Sequence, residues 1–387
     1  MTLDEITDRN SLRAWLDGQS RNVSVSIAHR AAMRVAPLLW LNLSPASSEI
    51  ALNAHVSARA MLIASAVGTS PSATMADSVE AAIAVAAAVP AAAAAAYALR
   101  AAAADPEASG SYSASSFAAA AAGHAHGDGA IAYASVFPSN RAAKAWLDIA
   151  QDAKALAGAD TGRHVAATPL WPQGTNPLAD DWQKVRKAWA SNTGDGWQFW
   201  IDWYEAALAG RPLLGDWDRH WDLLTDIALI DPDKWDAGPD TVNPLVAQKY
   251  EIHGLRAEAD RLKRELQRAE ATAATAAHRS HNQPPDLVET PSVQQYRVVL
   301  KALDDAETEL AKPDPSSSRL RAIANVLLDW TKGVAAYCAE LGDVALKEVA
   351  KGIGRAAVPG TALFLAAQSE QVRQIANGLV DLASRLP

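Results

Sequence analysis

Apolar positions along this chain recur at intervals of three and four residues, and clusters of Gly and Pro punctuate the segments that carry them. No run alternates apolar and polar residues between hairpin turns, so the pattern predicts an all-α fold. A short first element covers 12–16. Val25, Ala28, Ala32, Val35 and Leu39 then mark one face of a helix over 23–41, in which Pro37 predicts a kink or break. Another helix covers 46–67 and ends at Gly68-Thr69-Ser70-Pro71. Ala145, Trp146, Ile149, Ala153 and Leu156 define a face over 141–156. After a loop over 158–165, Thr168-Pro169-Leu170-Trp171-Pro172 predicts an extended connector, because residues before proline avoid helical angles.

Beyond this connector the pattern becomes dense in aromatics. Trp197, Trp200, Ile201, Tyr204 and Leu208 share one helix face while Phe199 and Trp203 lie nearly opposite, which predicts a helix enclosed on two sides. Asp195 with Gln198 resembles a capping box for it, and Gly210 with Pro212 closes it. Asp216 is placed to cap a second helix carrying Trp217, Trp221, Leu224 and Ala228. Asp231-Pro232 and Asn243-Pro244 each set a capping residue before a proline at the first helical position.

From Leu245 the spacing turns to heptads: Leu245, Ile252, Leu255, Ala259, Leu262, Leu266, Ala269, Ala273 and Ala276 follow a and d positions. This predicts a long amphipathic helix that packs within the chain or supports self-association through 245–276. Glu265 and Glu270 would repel in a parallel dimer, which favours packing within the chain. A linker with His281-Asn282-Gln283-Pro284-Pro285 follows, then helices over 292–311, 319–351 and 361–386. The predicted organisation is a multi-helical Ala-rich array (1–165), a Trp-rich short-helix module (166–243), a long heptad helix (244–280), a linker (281–291) and a C-terminal helical hairpin unit (292–387).

Composition sharpens this picture in two places. Over half of the residues in 81–125 are alanine, which forms helix readily but buries little area at roughly 25 cal/mol per Å². Nine of the thirteen tryptophans fall between Trp171 and Trp235. Each aromatic ring buries about 150 to 250 Å², so the cluster can supply the hydrophobic area that the alanine helices lack. A single exposed Trp among them is where function is to be sought.

The net charge of −9, with no clustered Lys and Arg, argues against nucleic-acid binding. Cys338 is the only cysteine, so no internal disulfide or cysteine-based zinc site can form, and a reducing cytoplasm is the expected compartment. The first residues carry Asp4, Glu5 and Asp8 rather than a basic, apolar signal sequence. The longest near-apolar run, 81–99, is mostly alanine and contains Pro90, which suits a soluble helix better than a bilayer span.

Candidate chemistry is sparse. His124, His126 and Asp128 alternate in a Gly-rich stretch where they could converge on a metal ion, and the string resembles the start of the metallo-β-lactamase ligand motif. Gly129 stands where that motif carries a further histidine, and no strand precedes it, so a solvated helix terminus is the better reading. Asp202 and Glu205, flanked by tryptophans, are the paired carboxylates that could serve acid and base chemistry or a sugar site; their place on the polar stripe of an amphipathic helix favours a structural role. No phosphate-binding Gly loop or nucleophile elbow is present, and no cofactor is expected.

The run Trp197-x-x-Trp200-x-Asp202-Trp203-Tyr204-Glu205, followed by Gly210, Asp231-Pro232-x-x-Trp235 and Gly238-Pro239-x-x-Val242-Asn243, resembles a segment recurring in a family of uncharacterised bacterial proteins. They too set an Ala-rich helical region before it and a helix leading to His-Asn-x-Pro-Pro after it, so the likeness covers about 81–285. No activity attaches to that family. The resemblance implies a recurring module with a variable C-terminal attachment, and carries over no catalytic residue.

The expectation is therefore a non-enzymatic helical scaffold or sensor that engages a protein partner. Two alternatives are a membrane-acting effector, in which 319–386 contacts a bilayer through amphipathic helices, and a hydrolase using Asp202 and Glu205.

Overall fold

The computed structural model describes residues 6–41, 48–69, 82–83, 96–98, 100–101, 117, 120–121, 139–156, 166–172, 174, 176–191, 196–279, 293–350 and 360–386. The fold is all-α, with no strand among the described residues. Its helices are α1 (Arg9–Leu16), α2 (Arg21–Leu41), α3 (Ser48–Thr69), α4 (Ser139–Leu156), α5 (Ala179–Ser191), α6 (Gln198–Ala209), α7 (Trp217–Ala228), α8 (Pro232–Asp236), α9 (Pro239–Arg279), α10 (Val293–Leu310), α11 (Ser317–Ala350) and α12 (Gly360–Arg385). The chain divides into two compact units, Met1–Tyr250 and Glu251–Pro387.

In the first unit the alanine helices and the tryptophans share one core. Ala28, Ala31, Ala32 and Ala36 of α2 and Ala58, Ala60 and Ala64 of α3 are fully buried, and these small side chains let α2 and α3 pack directly on each other. Residues 55–66 of α3 are buried all round, as in a helix hydrophobic on every face. The bulk comes from aromatics. The Trp40 ring of α2 lies 4.9 Å from that of Trp189, 5.1 Å from Tyr204 and 6.1 Å from Trp182. His55 of α3 stacks on Trp235 at 5.0 Å and meets Trp200 edge-on at 5.8 Å.

Several local expectations change. Helix α2 runs through Pro37 without a break. The proline removes one helical hydrogen bond, and burial of Val35, Ala36 and Trp40 around it holds the helix together. Trp197 occupies the N-cap of α6 and makes no side-chain cap. Gln198 instead donates to Asp202 at 2.8 Å, and Asp195 lies outside the described residues. Asp216 and Asp231 do cap α7 and α8, accepting from the Arg219 and Asp233 N–H groups at 2.8 and 2.9 Å. Asn243 caps nothing. It sits inside α9, which begins at Pro239, and its Oδ1 accepts from Trp200 Nε1 at 3.0 Å in the core.

A buried charge cluster that the periodicity does not reveal ties this unit together. Asp152 of α4 lies 3.0 Å from Arg30 Nε and 2.7 Å from an Arg34 Nη, all three side chains being almost wholly buried. Both arginines also seize the connector after α4 by its main chain. Arg30 donates to the Thr168 and Pro169 carbonyls at 2.9 and 2.8 Å, and Arg34 to that of Leu170 at 3.1 Å. The connector passes so close to the end of α6 that a Cβ on Gly210 would come within 2.6 Å of Pro169 N; with φ of +61°, that position requires glycine.

In the second unit, Leu255, Ala259, Leu262 and Leu266 of the heptad pattern are buried against residues of α10, α11 and α12. Lys263 reaches Asp304 and Glu307 of α10, each at 2.8 Å. The buried Glu309 carboxylate accepts from Lys312 and from the Ser316 N–H at 2.6 and 2.8 Å, which shapes the turn into α11. Leu320, Ile323, Leu327, Val372, Ile375, Leu379 and Leu382, all within the segment 319–386 considered for membrane contact, are buried in this same core. Among the described residues, no helix is long and apolar enough to cross a membrane.

Candidate functional site

Of the site residues singled out by sequence, Asp202 and Glu205 are among the described ones. His124, His126 and Asp128 lie outside the described residues, and no group of three metal-ligating side chains occurs among the described ones. Asp202 and Glu205 are half-buried on α6 but face separate partners. Asp202 accepts from Gln198 and from the Tyr250 hydroxyl at 3.1 Å, and burial together with the Asp202 charge keeps that phenol protonated. Glu205 pairs with Arg186 of α5 at 2.8 Å.

The structure instead opens a cleft in the first unit, part of it continuous with solvent. Helix α2 supplies Val25, His29 and Met33, spaced four residues apart and therefore on one face, with Ser26 and Arg30 beside them. Ala64 and Ser65 of α3 and Ala166 and Leu170 of the connector line further walls. From α6 and its end come Trp203, Ala207 and Arg211, and from α7 come Trp217, His220 and Trp221. Trp217, one of the few partly exposed tryptophans, stacks on Trp221 at 5.7 Å, and His220 stands edge-on to both.

The two histidines are held neutral. Burial, with the Arg30 charge beside it, pushes the His29 pKa down to about 4, a hydrogen bond to the Met61 carbonyl only partly opposing them. That bond uses Nε2, because the buried Nδ1 has no partner. His29 Nδ1 is therefore a buried acceptor in the wall of the cleft. Burial and the nearby His29 likewise push the His220 pKa down to about 4. Its Nδ1 accepts from the Leu213 N–H at 3.3 Å, which places the ring proton on Nε2 as a donor. The buried indole Nε1 of Trp221 is a donor without a partner.

Aromatic walls with a few polar atoms of fixed orientation are the usual makeup of a small-molecule site. Leaving a buried donor or acceptor unmatched costs about 1 to 3 kcal/mol, so a molecule that satisfies these atoms gains affinity from them. No step in the sequence reading found this site. His29 and His220 are 191 positions apart on separate helices; the expected single exposed Trp does not occur among the described residues of the cluster, where Trp171 and Trp217 are both partly exposed. The chain matches no family model, no curated protein and no solved structure.

Proposed function

We propose that this protein is a non-enzymatic helical sensor whose first unit binds a small molecule in the tryptophan-lined cleft, with the second unit available to a protein partner. The observation that carries this reading is the cleft itself: three tryptophans and His29 line it, and His29 Nδ1 and Trp221 Nε1 are buried in its walls without a partner. Its polar atoms suit recognition. Both imidazoles are already neutral and fixed in tautomer, as binding a neutral polar group requires. The carboxylates considered for hydrolysis are engaged by Gln198, Tyr250 and Arg186, away from this cleft.

Calorimetric titration with p-cresol, a flat molecule with one hydroxyl, tests the reading. Saturable one-to-one binding is expected, with a negative heat-capacity change, and filling the cleft with Ala207→Leu should abolish it. Absence of saturable binding to the unaltered chain both of p-cresol and of its carboxylated analogue 4-hydroxyphenylacetate would remove the reading.

A further inference from the structure

We propose that the cleft takes a small aromatic monocarboxylate that also carries a hydrogen-bond donor. This rests on the small-molecule reading above and specifies its ligand class.

The charge distribution argues for the carboxylate. Arg30 is saturated: its two Nη groups bind the Thr168 and Pro169 carbonyls and its Nε faces Asp152. His29 and His220 are uncharged at neutral pH. Arg211 is the remaining cation of the lining; it is exposed, and no carboxylate lies within ion-pair distance of it among the described residues. Its charge reaches the Tyr250 phenol, but that group stays protonated and offers no compensation. A guanidinium at the open side of an apolar cleft selects a carboxylate attached to an apolar body.

The deeper atoms argue for the donor and the ring. His29 Nδ1 is an acceptor only, so it is satisfied by an O–H or N–H of the ligand. The flat faces of Trp203, Trp217 and Trp221 favour an aromatic body over a branched aliphatic one.

The test compares 4-hydroxyphenylacetate, which has ring, donor and carboxylate, with phenylacetate, which lacks the donor, and p-cresol, which lacks the carboxylate. Calorimetry on the full chain should rank 4-hydroxyphenylacetate at least tenfold tighter than either. Arg211→Met should weaken 4-hydroxyphenylacetate about tenfold and p-cresol by less than threefold. His29→Phe, which keeps the ring, should bring 4-hydroxyphenylacetate down to the level of phenylacetate, with far-ultraviolet circular dichroism confirming the fold of both variants. If p-cresol binds as tightly as 4-hydroxyphenylacetate, the ligand class is overturned while the cleft reading stands. If none of the three binds, both are overturned.

Discussion

The Asp152 carboxylate lies 2.7 Å from the Arg34 guanidinium, and solvent reaches almost none of either side chain. Removing one partner of such a pair leaves a buried charge uncompensated, which costs about 3 to 5 kcal/mol. Asp152→Asn should therefore lower stability by that order, measured as the urea midpoint followed by tryptophan fluorescence. The exposed pair Lys332 and Asp329, at 2.8 Å, is the control; Asp329→Asn should leave the midpoint nearly unchanged. Equal effects from the two substitutions would contradict the assignment of Asp152 as an anchor.

Acid should destabilise the first unit well above the carboxylate range. Burial lowers the pKa of His29 and His220 to about 4 and, with Arg59 nearby, that of His55 to about 3, against about 6.5 in the unfolded chain. Folded values below unfolded ones mean that the unfolded chain binds more protons. Stability is complete above about pH 6.5 and falls as the pH drops towards 4, by roughly 2 kcal/mol per histidine at pH 5. Urea midpoints at pH 7, 6 and 5 should decline steadily. A flat profile over that interval would show that these rings are not buried neutral.

Gly210 and Gly215 both have positive φ, at +61° and +88°, but only Gly210 has main chain within 3 Å of its would-be Cβ. Gly215→Ala should cost about 1 kcal/mol from backbone conformation alone. Gly210→Ala must also push the connector away, so its loss should be at least twice as large. Thermal unfolding of the two variants decides this, and equal losses would show that the connector yields freely.

Asn243→Ala strands the Trp200 indole N–H in the core and should cost about 1 to 3 kcal/mol. Trp200→Phe removes the donor, so in that background Asn243→Ala should cost measurably less. A double-mutant cycle gives the coupling directly, and additivity would deny the hydrogen bond its role.

The helix faces were largely legible from spacing. Trp200, Ile201 and Tyr204 are buried on α6, and so are Phe199 and Trp203 on its other side, because a helix with apolar residues on both faces has to be enclosed. Proline was misleading at residue 244, which lies inside α9 rather than at its first position; at residue 37, of the kink or break expected, the break does not occur, because tertiary packing holds α2 continuous. The anchor cluster did leave a trace. Arg30 and Arg34 stand one turn apart on an otherwise apolar face, as do Asp148 and Asp152. Charged residues repeated on the buried stripes of two helices are a mark of a pair, but spacing within one helix cannot say which other helix holds the counter-charge. The cleft left less: His29 of α2, Arg211 beyond the end of α6 and His220 of α7 line one cleft only in the folded chain.

The arginine hold on residues 168–170 has a consequence for how this protein can vary. Arg30 and Arg34 read carbonyl oxygens, which every amino acid possesses, so the hold is blind to the side chains of the segment it fastens. The arginines themselves are less exchangeable: a lysine ammonium at Arg30 cannot span two carbonyls and a carboxylate as the planar fork does, nor at Arg34 a carbonyl and a carboxylate in the same geometry. Because Leu170 is also a wall of the cleft, this stretch can be rewritten to reshape what the cleft admits while its path through the molecule stays the same.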